Sequence, residues 1–251
     1  AARLCAEAAL RCGAGLVSLL THERHVDSVL AARPEIMVHG LAEPAEAAQV
    51  LPALLARASV IAVGPGLGRD AWGRALWTPL QALQRASKVP LVVDADALNL
   101  LAEAPARGVH WVLTPHPGEA ARLLGLPSAA AVQADRFAAL EQLCDRYDAS
   151  VVLKGAGSLI GSPGQRPPAV CTAGNPGMAS GGMGDLLTGV IAALIAQEGW
   201  AAADLSSLRL VATGSTDVPV PIIEAVHARG VPVVQIYGAT ETAPVVVYQR
   251  E

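Results

Sequence analysis

Lysine is nearly missing from this chain: of its 18 basic residues only Lys88 and Lys154 are lysines. That skew is the mark of a GC-rich coding sequence and carries no functional weight. Positive charge is also in short supply, since the net charge is −4. The basic face that nucleic-acid binders present is therefore not expected, and a small-molecule partner is. Cysteine is sparse and unpatterned. Cys5, Cys12, Cys144 and Cys171 lie far apart with no C-x-x-C or His/Cys spacing, which excludes a zinc ribbon and a disulfide framework and fits a reducing cytoplasm. Long apolar runs are lacking too. Although 52% of the residues are hydrophobic, charge, Gly or Pro interrupts every run before the roughly 18 residues that a membrane span requires. No basic start with a cleavage site is visible, so neither a secretory leader nor a membrane association is expected. At 251 residues the chain has room for one large α/β domain, or a domain plus a fragment.

What is present alternates. Short β-branched runs, "LVSLL", "SVIAVG", "PLVVDA", "WVLT" and "SVVLKG", are each followed by Ala/Leu/Arg stretches of helical period or by a loop. That order predicts a mainly parallel sheet flanked by crossover helices. Turn residues cluster after the strands at "GPGLG", "DADA", "TPHPGE" and "KGAG". An open α/β sheet places its ligand at that end, so the motifs are expected to share one rim. "GSPGQRPP", Gly161 to Pro168, reads as a hairpin tip between two short strands.

Several of these stretches carry candidate chemistry. In "NPGMASGGMGDLLTG" the glycines precede apolar residues that recur at helical spacing from Leu186. They should therefore open onto a helix N-terminus, where unpaired N–H groups and a partial positive charge suit phosphate. Asp185 then falls in the first turn, either as a helix-stabilising acid or as a reactive carboxylate. Lys154 stands just past a strand, with Gly155 and Gly157 leaving room for a nucleotide; an ordinary strand-to-strand turn is the other reading. Gly64, Gly66 and Gly68 end a strand in a turn of a common kind. Pro115 and Pro117 stiffen the loop around His116, and Glu119 starts a helix. Asp94 and Asp96 are candidate caps of the helix that follows them.

In this order, "GPGLG", "VVDADALNLL", "LTPHPGEAARLLG", "VLKGAGSLI" and "GNPGMASGGMGDLLTGVIAAL" resemble the ribokinase-like family, and within it the ADP- or ATP-dependent NAD(P)H-hydrate dehydratases. The match covers about residues 1–198. The resemblance implies a ribokinase-like α/β fold and repair of hydrated NADH or NADPH. The nucleotide's terminal phosphoryl group passes to the C6 hydroxyl, and phosphate is then eliminated. It implies Asp185 as base toward that hydroxyl, with preceding backbone amides as an anion hole. It also implies Lys154, Gly155, Ala156, Gly157, Ser158 and Gly184 on ADP or ATP, and Gly66, His116 and Asp185 on the hydrated cofactor. Glu119 would help organise Mg2+ through water, and homo-oligomers are implied. His116 favours the dehydratase over a ribokinase-like small-molecule kinase, whose members usually carry Asn there. A non-catalytic nucleotide-binding remnant is a third reading.

The family pattern starts with a strand and a G-S-x-x-M-x-G-A loop ahead of "AALRCGAGLV", whereas this sequence opens at "AARLCAEAALRCGAGLV". A central strand is therefore expected to be missing from the sheet. Residues 199–251 depart from the pattern as well, lacking the H-G-x-A-x-D motif. The stretch of about 203–247 resembles an internal piece of an adenylate-forming acyl-CoA synthetase, in which "YGATET" would place Thr240 and Glu241 near phosphate and magnesium. The partner loops of such enzymes are not found, so a short β-α-β segment of different origin is expected.

Overall fold

The computed structural model describes residues 1–108, 110–202, 211–214, 224, 228, 233–237 and 247–250. Two compact units divide the chain, Ala1–Gly199 and Trp200–Glu251.

The first unit begins with α1 (Ala2–Arg11), β1 (Ser18–His22), α2 (Val26–Leu30), β2 (Met37–Leu41) and α3 (Ala47–Leu55). β3 (Ile61–Val63), α4 (Ala71–Ser87), β4 (Leu91–Val93), α5 (Ala95–Glu103), β5 (Trp111–Leu113) and α6 (Pro117–Leu124) follow as strand–helix repeats. Then come α7 (Ala129–Ala134), α8 (Arg136–Tyr147), β6 (Ser150–Leu153), β7 (Ser158–Gly161), β8 (Ala169–Cys171) and α9 (Met183–Ala202), whose last three residues are counted with the second unit. The main sheet has the order β3-β4-β5-β6-β7-β8. Its first four strands are parallel and β7 and β8 antiparallel, so "GSPGQRPP" lies between two hairpin strands as its composition predicts.

Leu91, Val92 and Val93 of β4 are all fully buried. A parallel strand covered by helices on both faces requires such an unbroken apolar run. In α5, Ala97, Leu98, Leu100 and Leu101 form one buried stripe at i, i+1, i+3 and i+4 spacing, the signature of a helix lying on a sheet. Each fully buried leucine contributes about 2 kcal/mol of hydrophobic stabilisation. Two large polar-tipped side chains are satisfied within this core: Trp111 Nε1 donates to Gln84 Oε1 at 2.9 Å and Tyr147 OH to the Leu123 carbonyl at 2.9 Å.

One strand lies elsewhere than the alternation suggests. "LVSLL" contributes to β1, which pairs in parallel with β2 as a separate two-stranded sheet. Among the described residues, β3 has no strand on its outer side. In the second unit, β9 (Val211–Gly214) and β10 (Val233–Tyr237) are parallel, and β10 pairs antiparallel with β11 (Val247–Arg250). Between β9 and β10, Glu224 is helical and its carbonyl accepts the Ala228 N–H at 2.8 Å. Thr240 and Glu241 lie outside the described residues. Among the described residues, no helix is long and apolar enough to cross a membrane.

Candidate functional site

Because β3 to β6 are parallel, the turns after them meet at one rim. Gly64 to Gly66 follow β3, Asp94 follows β4, Thr114 to His116 follow β5 and Lys154 follows β6. The β3 and β4 turns are in direct contact. Asp94 N–H donates to the Val63 carbonyl at 3.0 Å, and a Cβ on Gly64 would stand 1.7 Å from the Asp94 carbonyl oxygen.

Asp94 occupies the N-cap position of α5 without making a side-chain cap bond. Its carboxylate, 1% exposed, turns inward instead. Oδ1 accepts from Lys154 Nζ at 2.9 Å and Oδ2 from Thr188 Oγ1 at 2.8 Å. Both carboxylate oxygens are therefore occupied by donors, the condition under which a buried charge is tolerated. The cap expected of Asp94 is replaced by tertiary bonds. Asp96, the other candidate cap, accepts the Gly68 N–H at 2.9 Å and so ties α5 to the β3 turn.

His116 and Glu119 cap α6 reciprocally. His116 Nδ1 accepts from the N–H groups of Gly118 and Glu119 at 2.9 and 3.3 Å, while Glu119 Oε2 accepts the His116 N–H at 2.8 Å. With Nδ1 an acceptor, the neutral ring carries its proton on Nε2, which lies 3.6 Å from Glu119 Oε1. The imidazole is half exposed while Glu119 is buried. Burial is the chief cause that lifts the Glu119 carboxyl above its ordinary range, with Asp94 adding to it; the His116 N–H bond, Lys154 and His116 act against it. Glu119 Oε2 is 4.0 Å from Lys154 Nζ, so the lysine stands between two buried acids.

The glycine run does open onto a helix. α9 starts at Met183 and has Asp185 in its first turn. The N–H groups of Gly184 and Asp185 have no acceptor among the described residues. Gly184 sits close to the lysine: a Cβ there would be 3.4 Å from Lys154 Nζ and 3.7 Å from Asp94 Oδ2. α1 lies close under α9, where a Cβ on Gly189 would stand 2.1 Å from the Cys5 carbonyl oxygen. The Cys5 thiol is pushed up to about 12, by burial first and then by Asp185 and Asp94, so it stays protonated.

Gly66, at φ +70, is 3.1 Å by its ideal Cβ position from Ala1 Cβ, and the backbone nitrogen of Ala1 is 3.8 Å from Asp185 Oδ2. Gly66 and Asp185 thus flank the same point. The turn from Lys154 to Ser158 closes on itself, with the Gly155 N–H donating to Ser158 Oγ at 3.3 Å and that hydroxyl donating to the Gly155 carbonyl at 3.2 Å. The turns after β3 to β6 and the amino end of α9 thus adjoin along one rim. Thr188 had no sequence signal, because its partner Asp94 is 94 positions away.

A parallel sheet with this rim and a glycine-fronted helix defines the ribokinase-like class, and the solved structures agree. A ribokinase-like superfamily protein from Enterococcus faecalis V583 matches with TM-score 0.68 and 31% identity, over 78% of this chain and 66% of that one. The ADP/ATP-dependent NAD(P)H-hydrate dehydratase from Bacillus subtilis, co-crystallised with ATP/Mg2+, matches with TM-score 0.63 and 28% identity, over 77% and 66%. The Carb_kinase family, described as NAD(P)H-hydrate dehydratase, matches residues 1–218, and the chain belongs to it. A bifunctional NAD(P)H-hydrate repair enzyme from Coxiella burnetii is 50% identical over 197 residues, which are 78% of this chain but 38% of that protein. The chain thus spans well under half the length of that relative.

Proposed function

We propose that this chain uses ADP or ATP to dehydrate hydrated NADH or NADPH. The observation that carries the reading is the position of Lys154. Its ammonium joins Asp94, approaches Glu119 and adjoins Gly184, so the "KGAGS" turn and the amino end of α9 belong to one anion-binding rim. In this reading Lys154, Gly155, Ala156, Gly157, Ser158 and Gly184 bind the nucleotide. The unpaired N–H groups at the start of α9 receive the transferred phosphoryl group. Asp185 takes the proton of the C6 hydroxyl as its oxygen attacks phosphorus and the bond to the departing nucleotide oxygen breaks. Phosphate then leaves with the C6–O bonding electrons as a proton is lost from the neighbouring carbon. Gly66 and the exposed face of His116 hold the hydrated cofactor. Positioning, charge neutralisation and one proton acceptor are the main demands of phosphoryl transfer.

Among the described residues, no cluster of three or more His, Cys, Asp or Glu side chains could hold a metal. In this reading Mg2+ would be carried on the nucleotide phosphates and water. Glu119 Oε2 accepts the His116 N–H, and in this reading the carboxylate would help organise Mg2+ through water. Mg2+ supplies neutralisation of phosphate charge.

The test is to add hydrated NADH or NADPH to the purified chain with Mg2+ and either nucleotide, and to follow return of the reduced-nicotinamide absorbance. Nucleotide binding without turnover would establish the non-catalytic remnant instead. In the same reading residues 199–251 are a segment resembling part of an acyl-CoA synthetase that supplies no nucleotide-binding residue, although the family match runs on to residue 218. Substituting Thr240 and Glu241 together by Ala should then leave nucleotide affinity unchanged by titration, and a marked loss would return the tail to the site. A homo-oligomer, also proposed, is read by sedimentation.

A further inference from the structure

Arg136 is the first residue of α8, and it is fixed there by Asp135, whose Oδ1 accepts the Ala138 N–H at 2.9 Å. Its guanidinium reaches the far side of the "KGAGS" turn. Nη1 donates to the Ala156 carbonyl at 2.8 Å and Nη2 to the Leu153 carbonyl at 3.2 Å. The fork therefore grips the turn on both sides of Lys154 and Gly155. The fit is close, since a Cβ on Gly155 would stand 2.9 Å from Nη2.

The grip has a directional consequence. In a trans peptide a carbonyl and the following N–H point opposite ways. Holding the Leu153 carbonyl turns the Lys154 N–H away from Arg136, and that N–H meets the Pro115 carbonyl at 2.9 Å. Holding the Ala156 carbonyl turns the Gly157 N–H away in the same manner. That donor has no acceptor among the described residues. Arg136 thereby leaves a free, oriented N–H on a turn whose other flank carries Lys154. Its fixed positive charge also sits behind that turn, where it offsets two carbonyl dipoles that would repel an anion.

We propose that Arg136 is a positioning residue for nucleotide binding: by holding the Leu153 and Ala156 carbonyls it presents the Gly157 N–H to a phosphate of ADP or ATP. The inference rests on the proposed reading of the "KGAGS" turn as the nucleotide site. It assigns no contact between Arg136 and the substrate.

The test compares the full chain with Arg136→Met and Arg136→Lys by calorimetric titration with ADP and with ATP in the presence of Mg2+. Met is of similar length and lacks the fork. It also removes a buried Nε that has no partner among the described residues, so the variant should fold. Losing one well-aimed bond to a charged phosphate should weaken affinity for either nucleotide about ten-fold in Arg136→Met. Arg136→Lys, which keeps the charge but reaches one carbonyl, should fall between. In turnover, the KM for nucleotide should rise while that for the hydrated cofactor stays within about two-fold, a split that general loosening of the fold would not produce. If Arg136→Met fails to fold by circular dichroism, Arg136→Lys gives the same comparison. Wild-type nucleotide affinity retained by a folded variant would overturn the inference alone. A wild-type chain that binds neither nucleotide would overturn the reading beneath it, and the inference with it.

Discussion

Asp94 Oδ2 accepts the hydroxyl of Thr188 at 2.8 Å, and Thr188 stands one helical turn beyond Asp185 on α9. The other carboxylate oxygen holds Lys154 at 2.9 Å. One buried acid at the end of β4 therefore fastens the turn after β6 to the helix that bears Asp185. Thr188 Oγ1 also lies 3.1 Å from the Gly184 carbonyl, which ties the hydroxyl back to the helix's first turn.

Asp94→Asn tests this fastening. The amide keeps the shape but loses the charge that pairs with Lys154. Breaking a buried pair from one side costs 3–5 kcal/mol; Lys154 is 21% exposed, so solvent reduces the expected cost to about 2 kcal/mol. Urea unfolding measures that loss. Turnover should fall further than stability alone explains, because both halves of the proposed site depend on the same carboxylate.

Asp185→Asn should separate binding from chemistry. The side chain keeps its volume at the start of α9, so ADP and ATP should bind within a few-fold of wild type by titration. Turnover of hydrated NADH should fall by about 10²–10⁴-fold, the usual contribution of a positioned general base. Equal losses in both measurements would make Asp185 a helix-stabilising acid only.

The legible parts of this fold are those whose causes are local. The glycines before Leu186 announced the start of α9, the His116-Pro-Gly-Glu119 run announced a helix start, and β-branched runs marked β3 to β6. What stayed hidden depends on long-range closure. Asp94 carried a local signal for capping, and the partners that overrule it lie 60 and 94 positions away. A run such as "LVSLL" shows that a strand forms but not which sheet takes it, and here β2 takes it. The fork of Arg136 likewise binds carbonyls 17 and 20 positions distant.

Glu119 gives the site a pH signature. Its carboxyl is raised in the folded chain above the ordinary 4.5, chiefly by burial. The folded state then holds this proton more tightly than the unfolded state between the two values. The sign follows: this contribution to stability is fully present below 4.5 and is lost as pH rises through the folded value. Glu119→Gln keeps an acceptor for the His116 N–H and removes the titration. The difference in unfolding free energy between the two proteins should therefore shift in favour of Gln as pH rises from about 4 to 7, with a slope of at most ~1.4 kcal/mol per pH unit. Parallel pH curves for the two would show that Glu119 is not raised.

Gly64→Ala should be the most damaging substitution of an apolar atom at the rim. Gly64 has φ +119, where an L residue is strained, and its Cβ would lie 1.7 Å from the Asp94 carbonyl oxygen and 3.0 Å from Ala97 Cβ. Neither neighbour is a flexible tip. The carbonyl belongs to the turn that Asp94 N–H pins to Val63 at 3.0 Å, and Ala97 is fully buried in α5. Relief thus requires the β3 and β4 turns to part, which would carry Asp94 away from Lys154 and Thr188. Gly164→Ala is the control for a positive φ without a steric neighbour, because Gly164 has φ +73, nearer the left-handed helical region than Gly64, and nothing within 4 Å of its Cβ. The control should lose about 1 kcal/mol from backbone strain, whereas Gly64→Ala should lose about 4 kcal/mol or more. Denaturant unfolding of both variants measures the difference. Nucleotide titration of whatever Gly64→Ala protein remains folded should show weakened binding, since the displaced turn is the one that holds Lys154; equal stability losses in the two variants would mean that the β3 and β4 turns do not meet as closely as this packing requires.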